Sequence, residues 1–195
     1  GHIAWTKWGD RLFEAFLSPD LQQHARIHLI FAGELADDEF GRCLSKNIEK
    51  AGLGKRIQLT GYLSSDDYIK YLCAADLAIQ LRTKSRGGTP RGVLDCLAYG
   101  VPVIVNNDAS YTDYPENIVI KLDPDPTVEA IAAKVSFLMA NPLQLLAYAE
   151  RCREYVATNH NPVRCAAAYA AALLEFSARE KTSKTDAWVE TFASL

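Results

Sequence analysis

Residues 85–105, SRGGTPRGVLDCLAYGVPVIV, hold the residue types best suited to bind an anion. A polar loop with two adjacent glycines, Gly87 and Gly88, leads through Thr89 and Pro90 into a helix. Arg82, Lys84, Arg86 and Arg91 place cations in and around that loop. Free N–H groups of such a loop and of a first helical turn, beside guanidinium groups, suit a phosphate. On local features alone, the same residues also describe an ordinary capped loop followed by a helix and a strand. Asp95 lies between Leu94 and Cys96 in an apolar helical segment, where a carboxylate needs a partner.

The elements that must position these groups follow from punctuation and periodicity. Pro90 at the first helical position starts the helix. Val93, Leu94, Leu97 and Ala98 give it an apolar face, and Gly100 ends it. Residues 101–105 are β-branched enough for a buried strand. Further strands are expected at 3–5, 26–31, 57–59, 77–81 and 118–122. Helices are expected at 10–17, 37–50, after Ser64, near Thr127, and at 142–158 and 162–179. The polar segment 180–186 reads as a linker and 187–195 as a short last helix, so residues 1–180 are expected to form one domain. The alternation predicts an α/β, doubly wound, Rossmann-like fold with a mostly parallel six-stranded sheet. With strand order 3-2-1-4-5-6, the order reverses between the first and fourth strands. Ligands bind outside the carboxyl ends at that reversal. Those ends carry Thr6, Lys7 and Gly9 on one side and Arg82 to Thr89 on the other.

Composition narrows the function classes. The chain has 195 residues, 49% hydrophobic and 23% charged, which is enough for a core without staples. A net charge of −3 gives no general attraction for nucleic acid. The cysteines Cys43, Cys73, Cys96, Cys152 and Cys165 show no CxxC or metal-ligand spacing and are expected to be reduced and mostly buried, as in a cytoplasmic protein. The apolar run 166–174 is too short to span a bilayer. Gly1 and His2 stand where an initiating Met would, so a processed or added start is expected.

The order of several short motifs resembles a known family. Gly33-Glu34 follows one strand and Gly61-Tyr62-Leu63 the next. Tyr71-x3-Ala75-Asp76 precedes the fourth, and Asp95-x-Leu97-Ala98-x-Gly100-x-Pro102-Val103 follows the loop. Together they resemble retaining GT-B glycosyltransferases of group 1, enzymes that use nucleotide sugars such as GDP-mannose. The likeness spans residues 3–176 and covers the second, nucleotide-holding half of such an enzyme. It implies Asp95 as the second carboxylate of a Glu-x7-Glu pattern, accepting hydrogen bonds from the ribose. The first carboxylate, which would touch the donor sugar, is absent, since Gly87 and Gly88 stand there. Lys7 matches the family's diphosphate-binding basic residue, and Arg82 and Arg86 are further candidates. The Gly87-Gly88-Thr89 backbone ahead of Pro90 would face the donor's phosphate and sugar edge, with Gly33 in the same set. The backbone at Tyr62 would border the base.

The resemblance implies no metal and no cofactor, because the cations stabilise the departing diphosphate. Asp123-x-Asp125 is read as helix-start chemistry. The partners it implies are a nucleotide sugar and, through a preceding domain, a saccharide acceptor, with peripheral membrane association of the full-length protein. The chain alone is expected to bind a nucleotide weakly and to transfer nothing. A degenerate, non-catalytic nucleotide-binding module is the alternative that the two glycines suggest. A different doubly wound phosphate binder lacks support, since neither GxGxxG nor GxxxxGK[ST] occurs.

Overall fold

The computed structural model describes residues 1–83 and 88–193, with side chains through 178. The chain divides into two compact units, Gly1–Tyr155 and Val156–Leu195. In the first, β1 (Leu29–Phe31) pairs in parallel with β2 (Ile57–Leu59), Leu29 opposite Ile57. β3 (Ala78–Gln80), β4 (Val103–Asn106) and β5 (Ile120–Leu122) form a second parallel sheet in that order. Every residue of the central β4 is buried. That explains its unbroken apolar run, since a strand covered on both faces has no reason to alternate.

Helices α1 (Gly9–Phe16), α2 (Pro19–Gln22), α3 (Glu39–Ala51), α4 (Ser65–Ala74), α5 (Arg91–Ala98), α6 (Val128–Ala140) and α7 (Pro142–Asn159) follow or connect the strands. Three of them start on a side-chain cap. Asp38 accepts from the Gly41 N–H, Ser64 from Asp67 and Thr127 from Ala130, each such cap being worth about 1 kcal/mol. Thus Asp123-Pro124-Asp125-Pro126 does lead into a helix start, at Thr127. The short α2 escaped the sequence reading, although Ser18-Pro19 is a legitimate start signal. Arg56 fixes it from across the chain. Its guanidinium donates to the carbonyls of His24 (3.0 Å) and Ile27 (3.1 Å) and to the Gln22 amide oxygen (2.8 Å).

Five strands, not six, form among the described residues. The expected first strand contributes one bridge, Ile3 to Leu35, and then winds into a 3₁₀ turn at Trp5–Lys7. The turn closes on Trp8, whose φ of 50° is left-handed, so a second ladder step cannot follow. The expected pairings otherwise hold on either side of this segment.

Two apolar clusters make the core. Phe13, Phe16, Phe31, Leu44, Ile48 and Ile57 pack around β1 and β2. Ala15, Leu21, Ile104, Ile120, Ile131 and Leu138 are among those around the second sheet. α1 supplies residues to both, and Leu12 packs against each. Each fully buried branched side chain contributes about 1.5–3 kcal/mol.

α5 buries Val93, Cys96 and Leu97, while Ala98, expected on the apolar face, is exposed. Pro90 is the residue before the helix, not its first position. Its backbone is extended, and its carbonyl accepts from Val93 and Leu94. Gly92 lets the first turn lie on β3, since a Cβ there would stand 3.2 Å from the Gln80 side-chain oxygen. At the other end the N–H groups of Gly100 and Val101 return to the Leu97 and Cys96 carbonyls, with Gly100 at φ +70°. This paired closure requires a left-handed residue.

In the second unit, Asn161 accepts from the Val163 N–H at 2.9 Å and starts α8 (Pro162–Ala193). The expected linker at 180–186 and residues 187–193 of the expected last helix lie inside α8. Those residues contain neither proline nor glycine, so nothing local stops propagation. Cys96 and Cys152 are buried as expected, but Cys43 and Cys73 are exposed.

Gly100→Ala should cost about 1–2 kcal/mol, from the left-handed backbone and from displacement of the Arg153 guanidinium that a Cβ would meet. Urea denaturation measures this, and an unchanged midpoint would contradict it.

Candidate nucleotide site

The site is built where the two sheets meet. The Thr83 N–H, just beyond β3, donates to the Thr6 carbonyl at 3.0 Å. Ile3 is bonded the other way, to the chain leaving β1: its N–H reaches the Glu34 carbonyl and its carbonyl accepts from Ala36, each at 2.8 Å. The opening segment therefore touches the carboxyl end of both sheets. This is the reversal point at which the sequence placed a ligand.

The Thr6–Thr83 bond sets Lys7 beside Arg82. Lys7 is half-buried, and burial, then the neighbouring Arg82 cation, holds its ammonium below the ordinary lysine range. Among the described residues no carboxylate forms an ion pair with either cation. Arg82 donates Nε to the Tyr111 hydroxyl at 3.0 Å and lies over the edge of its ring. Its backbone N–H and carbonyl are both held by the side-chain amide of Asn106, each at 2.9 Å. The sequence reading missed Asn106 and Tyr111. One is an amide ending a buried strand and the other a tyrosine in an irregular turn, and neither type advertises its partner.

α5 begins beside this loop without a side-chain cap and without an acid in its first turn. Gly88 and Thr89 are exposed, and the Gly88 carbonyl accepts from Ser110 at 3.2 Å. Arg86 and Gly87, also singled out in the sequence, lie outside the described residues. Asp95 is about a quarter exposed, with its oxygen 3.6 Å from Arg91 one turn earlier. Such a pair on a helix surface is worth only about 0.3–0.5 kcal/mol. The Tyr68 phenol lies close to Asp95. Burial, then the nearby Cys96 and Asp95, pushes the Tyr68 phenol well above its usual range, so it remains a donor. Burial likewise pushes the Cys96 thiol up to about 12, which makes it an inert core group.

Gly33 is buried, with φ +141° and its N–H on the Thr60 hydroxyl at 2.9 Å. Gly61, bridged to it, turns at φ +70° and leaves Tyr62 80% exposed on the rim. No three His, Cys, Asp or Glu side chains converge among the described residues. Asp125 instead takes Arg11 as an ion-pair partner.

The family model for "Glycosyl transferases group 1" matches residues 1–158. The chain belongs to the group 1 glycosyl transferases. The C-terminal domain of the group 1 glycosyl transferase LpcC from Francisella tularensis is similar at 23% identity and a TM-score of 0.70, over 83% of this chain and 84% of that one. HepE from Anabaena, solved in complex with UDP, is similar at 17% identity and 0.76, over 90% of this chain and 48% of HepE. Sucrose-phosphate synthase from Thermosynechococcus elongatus matches at 18% and 0.69, over 91% of this chain and 45% of the synthase. No curated protein matches the sequence. The fold is therefore the Rossmann-like half of a GT-B glycosyltransferase, and the chain spans about half the length of HepE.

The lowered Lys7 gives a pH test. Unfolded, Lys7 keeps its proton up to the ordinary lysine value of 10.5, while folded it releases it earlier. Below both values the fold bears the full cost of burying an ammonium, and that cost disappears as pH rises through the window. Lys7→Met should thus be more stable than the parent near neutrality, with the difference closing toward pH 10.5. Inorganic phosphate should raise the parent's Tm more than the variant's. A pH-independent difference would contradict the assignment.

Proposed function

We propose that this chain is the donor-binding half of a retaining glycosyltransferase that takes a hexose, with mannose the leading candidate, from a nucleoside-diphosphate sugar to a saccharide acceptor. The observation that carries this reading is the Lys7–Arg82 couple, without a carboxylate partner among the described residues and set at the reversal point by the Thr6–Thr83 bond. Two cations held together, with no carboxylate on either among the described residues, suit a diphosphate, which neutralises both. As the glycosidic bond breaks, the departing diphosphate gains negative charge. Cations and helix N–H groups already in place stabilise it most at that moment. In this reading Lys7, Arg82 and Arg86 meet the diphosphate, and the Gly87-Gly88-Thr89 backbone and the uncapped start of α5 at Pro90 face its terminal phosphate. Asp95, near Tyr68 and 3.6 Å from Arg91, accepts from the ribose. The base lies along Gly33 and Tyr62. Structures of HepE with UDP and with UDP-glucose support a nucleotide sugar as the ligand class.

The same reading needs no metal or other cofactor, since the charge is met by side chains. It takes the acceptor from a preceding domain, leaves the chain alone inactive, and places the protein in the cytoplasm with peripheral membrane association. Glycine at 87 and 88, where the family has a carboxylate, favours one second reading: a module that binds a nucleotide and has lost transfer.

Calorimetry with UDP and GDP should show one of them binding with Kd near 0.1–1 mM, about 4–5.5 kcal/mol. Asp95→Ala and Arg82→Ala should each weaken binding about tenfold. Absence of heat with both nucleotides, from a folded sample, would overturn the proposal. Introducing Gly88→Glu into the full-length protein separates the two readings. Transfer gained or raised supports an enzyme, and binding without transfer in both proteins supports the module. A Cβ at Gly88 meets nothing within 4 Å, so the residue fits.

A further inference from the structure

Asn106 is wholly buried, and it is the buried polar side chain among the described core residues. Its amide is fully engaged. Nδ2 donates to the Arg82 and Pro124 carbonyls and Oδ1 accepts from the Arg82 N–H, all at 2.9 Å. β3 ends two residues before Arg82, at Gln80, which is in register with Val105. Beyond that step the Asn106 side chain does for Arg82 what a strand backbone would do, taking both its N–H and its carbonyl. The same amide also reaches the chain leaving β5. One side chain therefore ties together the carboxyl exits of β3, β4 and β5.

The guanidinium is held separately. Tyr111 is 2% exposed, and burial keeps its phenol protonated and above its usual range despite the nearby Arg82. Its oxygen accepts from Arg82 Nε, and the guanidinium carbon stands 6.0 Å from the ring centre. Both anchors come from one tightly wound stretch. The Asp108 N–H returns to the Asn106 carbonyl at 2.8 Å and the Tyr111 N–H to Asp108 at 3.0 Å. Between them Ala109 has φ +46°, a left-handed backbone that an alanine adopts only at a cost. The bond to Tyr111 uses the Nε–H alone, so among the described residues orientation takes one N–H and the two terminal nitrogens of the planar fork face no acceptor.

We propose that Asn106 and Tyr111 are positioning residues for the donor site: Asn106 fixes the backbone of Arg82, and Tyr111 aims its guanidinium so that the fork meets the diphosphate. This rests on the donor-binding reading above. A core amide is unnecessary for packing alone, since an apolar residue would fill β4 without polar atoms to satisfy. A preset guanidinium loses less freedom on binding than a mobile one.

Tyr111→Phe keeps the ring and removes only the acceptor. Calorimetry compares parent and variant with UDP and GDP and with the corresponding nucleosides, uridine and guanosine. The proposal expects the nucleoside diphosphate to bind roughly fivefold more weakly while the nucleoside is unaffected. It also expects the Arg82 Nε–H resonance, slow to exchange in the parent, to exchange fast in the variant. Asn106→Asp, which can accept from Arg82 but not donate to the two carbonyls, should show the same diphosphate-selective loss. Equal loss of nucleoside and diphosphate would mark a structural role and overturn the proposal, as would unchanged diphosphate binding by Tyr111→Phe. If the parent binds neither nucleotide, the donor-binding reading falls, and the positioning role with it. If the parent binds and the variant binds alike, only the positioning role falls.

Discussion

One backbone hydrogen bond, from Thr83 to Thr6, holds the candidate site in being. The opening segment is too tightly turned to run as a strand between the sheets. It substitutes isolated bonds for a ladder, reaching the β1 side through Ile3 and the β3 side through Thr6. α1 follows at once and spreads its apolar residues over both core clusters. Backbone bonds above and shared packing below thus fix the two sheets to a common edge. The order of strands reverses at this edge, and the loops on either side diverge from it.

That constraint has an electrostatic consequence. It brings two cations together at partial burial, where their repulsion is screened less than at an open surface. A fold selected only for stability would place a carboxylate beside them or move one of them into water. The chain does neither among its described residues, and the arrangement costs stability until an anion arrives. α5, like α1 and α2, starts without a side-chain cap, whereas α3, α4 and α6 each have one.

Membership of the group 1 glycosyl transferases fits this picture, and the departures from it are informative. Asp95 is shorter than the expected glutamate and stands 3.6 Å from Arg91. Glycines stand at 87 and 88 in the sequence, where the resemblance leads one to expect a carboxylate.

The sequence by itself determined the local things: most of the helices, where Ser64 and Thr127 cap two of them, that β4 is buried on both faces, and that Gly100 closes α5. Each of these is set by residues within a few positions, and their physics is legible without a partner. Sequence order also placed the reversal point correctly, because crossover handedness leaves few alternatives. Only the tertiary structure decided that the opening strand shrinks to one bridge and that α2 is locked by Arg56. It alone joined Arg82 to Asn106 and Tyr111. Those contacts connect residues far apart in the chain, and an amide or a phenol has the same local propensities whether its partner is water or an arginine. What fixes the site is which groups are left unsatisfied when the core closes, and that is a property of the whole fold.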